Sequence, residues 1–179
     1  MGGAYNACAM RMLPGNVSTL ASEVGGGVAA TAVMDAAMVL AAKLAPGGFA
    51  SEKNSPEVIG RWAVGLCRGR GRHEDISAET PVRGELWLGL AAHYFTGVTL
   101  TLVYLEAARR SGRRPGAAGA TAYGLATSVL PLLLMYPSMG YGLGGRRSGD
   151  ARRLVCSMLL GHAAFGAGIG LWTSTRRRG

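Results

Sequence analysis

The sequence predicts an all-α, polytopic membrane protein folded as an antiparallel bundle of four transmembrane helices. The first observation is a conflict in composition: the mean hydropathy is positive, +0.21, although the 179-residue chain carries a formal net charge of +9. The second is that four long apolar stretches alternate with arginine clusters along the chain. A charged group at the bilayer centre is costly, so this segregation is what a multi-pass protein of the cell membrane requires.

Each apolar stretch is close to the roughly 20 residues that a helix needs to cross the hydrocarbon core. The stretches cover about 24–45, 85–108, 117–136 and 154–173, between an N-terminal tail over 1–23 and a basic C-terminal tail over 174–179. A soluble bundle of apolar helices is the competing interpretation. It is disfavoured because the helices of a soluble bundle need a polar face, which these stretches almost lack.

The first connection, residues 46–84, is long and is predicted to contain a short interfacial helix over Pro56–Leu66. Ser55 precedes the proline as an N-cap, and proline is favoured at the first helical position. Its apolar side chains would let this helix lie on the membrane surface; they are Val58, Ile59, Trp62, Val64 and Leu66. The other connections are short, so neighbouring spans are expected to be antiparallel.

Composition also excludes several classes of function. The three cysteines are scattered and form no CxxC pair, so neither a disulfide scaffold nor a zinc module is expected. The arginines flank the apolar stretches without interleaved aromatic residues, so nucleic acid is not an expected partner. Membrane lipids are expected partners instead, because anionic head groups attract basic residues at the ends of spans.

Three ionisable residues interrupt the apolar stretches near their middles: Asp35, His93 and His162. Such residues are rare and costly in a bilayer, which makes them candidates for a functional site. Gly89 and Gly97 lie four residues on either side of His93. Small residues let helices approach closely, so this histidine is expected to lie between helices and not against lipid.

The spacing of charges predicts how the first two spans are aligned. Lys43 follows Asp35 by eight residues, and His93 follows Glu85 by eight residues. A helix rises 1.5 Å per residue, so each interval is about 12 Å. If Asp35 faces His93 in an antiparallel pair, Lys43 is predicted to face Glu85 at the membrane edge.

Short motifs that together are specific are spread along nearly the whole chain. They are Ala30–Thr31, Met34–Asp35, Gly60–Arg61–Trp62, His73 with Ile76, Pro81–Val82, Gly84–Glu85, Gly89-x3-His93–Tyr94-x2-Gly97, Thr127-x3-Pro131, Pro137-x2-Gly140, Arg153–Leu154-x2-Ser157 and His162-x2-Phe165–Gly166. With these motifs the chain resembles a bacterial family of small integral membrane proteins carried as a domain of unknown function. In size and topology it is also similar to the small membrane-bound terpene cyclases of actinobacterial indolosesquiterpene pathways.

The second resemblance implies a membrane-bound cyclase of a lipophilic isoprenoid substrate, which protonates an alkene or epoxide and needs no cofactor or metal. Asp35 is the first candidate for the acid, because desolvation keeps a carboxyl group protonated, and Glu85 is the competing acid. His93 or His162 would be the final base. Aromatic faces would stabilise the cationic intermediates; the candidates are Trp62, Tyr94, Phe95 and Phe165. An Asp35 paired with a protonated histidine would be ionised and unable to act as this acid.

Three alternatives remain open at this point. Two histidines and a carboxylate are also a familiar ligand set for non-haem iron, with His73 or Glu85 as a fourth ligand. Asp35 and the histidines would equally suit a proton relay in a proton-coupled carrier of small solutes. Four helices are few for a carrier, so this hypothesis favours a homo-oligomer. The last alternative is a structural subunit whose polar residues join helices.

Overall fold

The computed structural model describes residues 17–44 and 52–176. Within these residues the chain is helical and contains no strand. The helices are α1 (Val17–Leu44), α2 (Pro56–Cys67), α3 (Glu85–Arg110), α4 (Ala117–Thr127), α5 (Tyr136–Ser138) and α6 (Ala151–Thr175). Four segments are long and apolar enough to cross a membrane, namely α1, α3, Ala117–Ser138 and α6. The predicted all-α class with four spans is therefore confirmed.

The first span is longer than predicted. Helix α1 begins at Val17, inside the predicted tail, and ends at Leu44, one residue before the predicted end. The last span is also extended, because α6 begins at Ala151 and ends at Thr175. The remainder of the predicted N-terminal tail, residues 1–16, and the last residues of the C-terminal tail, 177–179, lie outside the described residues.

Helix α1 lies between α3 and α6, while α2 packs on α3 and α4 packs on α6. Against α3, Gly27 meets Val98 and Thr31 meets Gly97. The residue numbers rise along one helix and fall along the other, so α1 and α3 run antiparallel. Glu23, near the start of α1, pairs with Arg109 near the end of α3, with Oε1 and Nη1 2.5 Å apart.

Glycines bring the helices into backbone contact at several crossings. A Cβ added to Gly124 of α4 would lie 2.8 Å from the Cα of Gly166 on α6. At the crossing of α2 and α3, a Cβ on Gly60 would overlap the carbonyl of Glu85. Lipid tails are as apolar as leucine, so helices in a bilayer associate through such close packing and not through hydrophobic burial.

The third span is not one continuous helix. Helix α4 ends at Thr127, and a π-helical turn over Pro131–Met135 leads into the short α5. Pro131 has no N–H to donate to the carbonyl of Thr127, four residues earlier, which removes one rung of the helical ladder. The wide turn accommodates this loss and shifts the course of the span beside the middle of α6.

Helix α2 starts as predicted, with Ser55 as its N-cap, whose side chain accepts from the backbone N–H of Val58. Part of its apolar face packs on protein. Val58 is buried in a cluster with side chains from α5, α6 and the connections, and Ile59 and Trp62 pack against that cluster. Leu66 on the same helix is 43% exposed. Helix α2 therefore forms a cap at the end of the bundle.

Candidate functional site

The predicted contact between Asp35 and His93 is present. Nε2 of His93 lies 2.9 Å from Oδ1 of Asp35, and the hydroxyl of Tyr94 donates to Oδ2 of the same carboxylate over 2.9 Å. The rings of His93 and Tyr94 are edge-on, with centroids 5.7 Å apart. An ionised carboxylate only accepts hydrogen bonds, so two donors on one carboxylate fit the ionised form of Asp35.

A cavity of about 60 Å³ lies between α1, α3 and α6, beside this pair. Its walls are Thr31, Met34, His93, Thr96, Gly97, Leu100, His162 and Phe165. A water molecule in the liquid occupies about 30 Å³, whereas pockets for drug-sized ligands measure roughly 300–1,000 Å³. The cavity as it stands is therefore much smaller than a pocket for a drug-sized ligand.

The second mid-membrane histidine reaches the same cavity from α6. Nδ1 of His162 lies 2.9 Å from Oγ1 of Thr127, and that hydroxyl lies 2.6 Å from the carbonyl oxygen of Gly124. Thr127 is the last residue of α4 and lies four residues before the start of the π-helical turn. The end of α4 thus holds one edge of the His162 ring, and His162 is also a wall of the cavity.

A pair of tyrosines joins α3 to α4 on the side of the cavity away from α2. The Tyr123 hydroxyl donates to the carbonyl of Leu100 over 2.8 Å. Its ring lies 5.0 Å, centroid to centroid, from that of Tyr104. Leu100 is also a cavity wall, so these contacts set the position of that wall.

Glu85 is not paired with Lys43, and that prediction is wrong. Arg61 of α2 binds Glu85 through two hydrogen bonds, Nε to Oε2 and Nη2 to Oε1, both 2.9 Å long. Nη1 of Arg61 also donates to the carbonyls of Ile76 and Glu79. The hydrogen-bonded Glu85 carboxylate raises the pKa of Arg61 above its usual range. The reason for the error is that the connection folds back and places α2 directly over the start of α3.

The predicted site residues fall into two groups. The first is assembled at the cavity: Asp35 and Tyr94 through their bonds to one another, and His93, His162 and Phe165 as cavity walls. The second lies elsewhere. Glu85 is bound by Arg61, the indole N–H of Trp62 donates to Ser138 at the cap, and the Phe95 side chain is 74% exposed on the outer face of α3. Only the first group forms a common site.

Two residues that matter to this geometry had no assigned role in the sequence interpretation. Thr127 was indistinguishable from the other intramembrane threonines, although its position four residues before Pro131 in the Thr127-x3-Pro131 motif was a usable signal. Arg61 belongs to the motif Gly60–Arg61–Trp62, and an arginine inside an otherwise apolar helix was the signal that it has a buried partner.

The ligand set proposed for a metal is not assembled in the described parts of the chain. No group of three or more histidine, cysteine, aspartate or glutamate side chains within residues 17–44 and 52–176 could hold a metal ion. His93 is directed to Asp35, while His162 is held by Thr127. The two histidines share a cavity but do not form a three-ligand site with the carboxylate.

The fold and the site together define a membrane protein with four spanning-length helices and an intramembrane Asp–His pair beside a small cavity. Residues 24–176 match the family described as Protein of unknown function (DUF2938), and the chain belongs to that family. The match includes α2 and all four spans except the first residues of α1. No curated protein and no solved structure matches the chain.

Proposed function

We propose that the protein is a proton-coupled carrier of small solutes. The observation that supports this proposal is the Asp35–His93 pair, held at 2.9 Å between the spans α1 and α3 and adjoining a cavity that His162 also lines. Ionisable residues at this depth are retained at a cost and commonly belong to proton or ion pathways. Two histidines and a carboxylate supply proton-exchanging groups on both sides of one small cavity.

The pair provides a physical means of coupling. When Asp35 is ionised it holds His93 and Tyr94 by hydrogen bonds. A proton taken up by the pair, on the imidazole or on the carboxylate, cancels its net negative charge, and His93 is itself a wall of the cavity, so protonation changes the charge at that wall. Coupling between a proton and a solute requires that each alters the binding of the other, and this adjacency supplies such an interaction.

The cyclase hypothesis is the second candidate. The apolar walls formed by Leu100, Met34 and Phe165 favour it, because a cyclase needs a dry cavity with an aromatic face. It requires the cavity to widen severalfold, and it requires Asp35 to leave His93 and become protonated. Feeding membranes an epoxidised prenyl substrate tests it: conversion that persists fully in Asp35→Asn contradicts an acid role for Asp35.

The carrier proposal is tested in proteoliposomes that enclose a pH-sensitive dye. A solute is added outside, from a panel of small cations, anions and neutral molecules, and internal pH is followed. We expect at least one solute to drive a pH change that is absent from empty vesicles and is lost in Asp35→Asn. Glu106→Gln is the matched control. It makes the same change from a carboxylate to an amide, but at an exposed ion pair of α3. Solute-driven pH changes of equal size in wild type and Asp35→Asn would contradict the proposal.

A further inference from the structure

We infer that the cavity binds the end of a hydrocarbon chain, which enters it from the bilayer through a gap between α3 and the third span. This inference rests on the proposed function where it makes the carried solute a lipophilic molecule. Three observations support it: which helices form the walls of the cavity, where those walls are open, and how little polar surface they present.

The walls of the cavity all come from α1, α3 and α6. Helix α1 packs on both α3 and α6, so it closes one side of the cavity. The opposite side is the space between α3 and the third span, which packs on α6. Among the described residues, the third span supplies none of the walls, and the cavity is only partly enclosed. The open side therefore lies between α3 and the third span.

Thr96 marks the position of the opening. Thr96, Leu100 and Tyr104 are spaced by four residues, so they lie along one face of α3. On this face α3 meets α4: the Tyr123 hydroxyl donates to the Leu100 carbonyl over 2.8 Å, and the ring of Tyr123 contacts that of Tyr104. One turn closer to the cap, Thr96 is exposed although it is a wall of the cavity. The two spans thus touch at the tyrosines and leave a gap at Thr96.

The third span presents apolar side chains to the bilayer over the same depth. Beyond Thr127 its course changes at the π-helical turn that begins with Pro131. Leu130, Leu133 and Leu134 are exposed there, and exposed leucines at membrane depth contact lipid chains. The gap beside Thr96 is therefore reached from the hydrocarbon core of the bilayer and not from water.

The surface that the walls present to the cavity is almost entirely apolar. A buried water molecule needs roughly two to four polar partners, so this surface favours neither water nor a hydrated ion. Met34, Leu100 and Phe165 offer apolar contacts instead. A chain that is already in the bilayer gains nothing by leaving water. What favours its entry is packing, because atoms that line a void lack contact partners and a chain end restores them.

The size of the cavity limits the ligand to the end of a chain. It measures about 60 Å³, whereas an engineered apolar cavity that binds benzene in another protein measures about 150 Å³. A ring system exceeds this space, while a narrow chain end enters it and leaves the rest of the molecule in the gap beside Thr96. His93 is both a wall of the cavity and the partner of Asp35, so the inserted end lies against the proton-binding pair.

The test is photolabelling of the purified full-length protein in phosphatidylcholine vesicles. The probe is dodecanol with a diazirine at the end of its chain, and mass spectrometry locates the labelled residues. We expect saturable labelling of Phe165, which excess dodecanol lowers at least tenfold and excess glycerol leaves unchanged. Phe165 is 3% exposed, so only a chain inside the bundle reaches it. Label on Phe95, which is 74% exposed, measures contact with bulk lipid and should not saturate.

Two exposed threonines of α3 supply a matched pair of variants. Thr96→Phe fills the opening and should lower labelling of Phe165 at least tenfold. Thr99 donates to the carbonyl of Phe95 and lies outside the cavity, so Thr99→Phe should be labelled like wild type. Equal labelling of Phe165 in the two variants would overturn the inference. If Thr96→Phe fails to fold, the wild-type protein still decides, because absent or unsaturable labelling of Phe165 would also overturn it.

A second probe, phosphatidylcholine with a diazirine at the end of an acyl chain, distinguishes the sources of the chain. Labelling of Phe165 by this lipid alone would support the chain site and contradict a carried lipophilic solute. Labelling by the dodecanol probe without a solute-driven pH change in vesicles would support the site and contradict the carrier. A pH change driven by a polar solute, with Phe165 unlabelled, would contradict the site and leave the carrier standing.

Discussion

The imidazole of His93 donates to the carboxylate of Asp35 across 2.9 Å, and this contact joins α1 to α3 inside the bundle. We expect Asp35→Asn and His93→Gln each to lower the stability of the protein in detergent, because each leaves a polar partner without its counterpart. The double variant should lose less than the sum of the two single losses, with an interaction of about 0.5–3 kcal/mol. Equilibrium unfolding of wild type, the two single variants and the double variant measures this interaction energy. Strictly additive losses of stability would contradict direct coupling between the two side chains.

Arg61 is expected to be the most sensitive charged residue of the cap. Its guanidinium is 8% exposed and binds Glu85, which is 11% exposed, together with backbone carbonyls of the connection. Removing one member of a buried pair typically costs about 3–5 kcal/mol. Arg61→Ala should therefore lower the thermal midpoint strongly. Arg153→Ala, which removes a half-exposed side chain 3.6 Å from Asp150, should change it little. Comparable shifts in both variants would contradict a special role for Arg61.

The glycine crossings supply a matched pair of substitutions. A Cβ at Gly124 would overlap the backbone of α6 at His162 and Gly166, whereas a Cβ at Gly25 would meet nothing within 4 Å. Gly124→Ala should destabilise by about 1–3 kcal/mol or more, as expected for overpacking against atoms that cannot move. Gly25→Ala should be neutral or stabilising, because alanine favours the helix. Thermal unfolding in detergent compares them, and an equally well tolerated Gly124→Ala would show that α4 and α6 separate at little cost.

Thr127 is expected to act on the tautomer of His162 through its hydroxyl. Thr127→Val keeps the shape of the side chain but removes the acceptor at 2.9 Å from Nδ1. The ring should then populate the tautomer with hydrogen on Nε2, and solute-driven proton movement should fall by roughly tenfold, equivalent to about 1.4 kcal/mol. Thr127→Ser restores a hydroxyl and should restore both properties. Histidine NMR reads the tautomer, and an unchanged tautomer in Thr127→Val would contradict this role of Thr127.

Glu79, in the connection that follows α2, makes the stability of the fold depend on pH. The hydrogen bond from His73, over 2.6 Å, lowers the pKa of Glu79 below its usual 4.5, and Arg70 adds to this effect. A carboxyl group with a lowered folded-state pKa contributes stability that is present above about 4.5 and is lost as the pH falls through the folded-state value. Wild type should therefore unfold at a higher temperature than Glu79→Gln at neutral pH. The difference should vanish in acid, and a difference that grows in acid would contradict this sign.

The four spans could be predicted from hydropathy because each membrane helix needs one uninterrupted run of apolar residues. Such a run is visible in the sequence without knowledge of the tertiary contacts. The Asp35–His93 contact was the condition on which the sequence aligned these two helices, and it is present, although the Lys43–Glu85 contact deduced from that alignment is not. The partner of Glu85 was not predictable in this way. That partner depends on how the connection folds back. Arg61 reaches Glu85 from α2, a helix that the sequence pattern placed at the membrane surface without a contact to any span.

The aromatic residues that line the cavity could not be told from the sequence either. Tyr94, Phe95 and Phe165 are all aromatic residues of the spans, yet Phe165 is a cavity wall, Tyr94 binds Asp35, and Phe95 points outward. In a bilayer the outer surface is as apolar as the interior, so hydrophobicity does not distinguish the two faces of a helix. Small residues at the crossings do so in part, because the buried Gly97 of α3 marks the face that contacts Thr31.

The two ends of the bundle are fastened unequally. At the cap end, Glu85 is held by the buried guanidinium of Arg61, and α5 is tied to the cap through Trp62 and Ser138. At the other end, Glu23 is held by Arg109, whose side chain is 53% exposed, and α3 and α4 touch through Tyr104 and Tyr123. Exposed ion pairs break at little cost, and buried ones do not. The end of the bundle at Arg61 is therefore harder to open than the end at Arg109. Thermal motion should admit water to the cavity first from the Arg109 side.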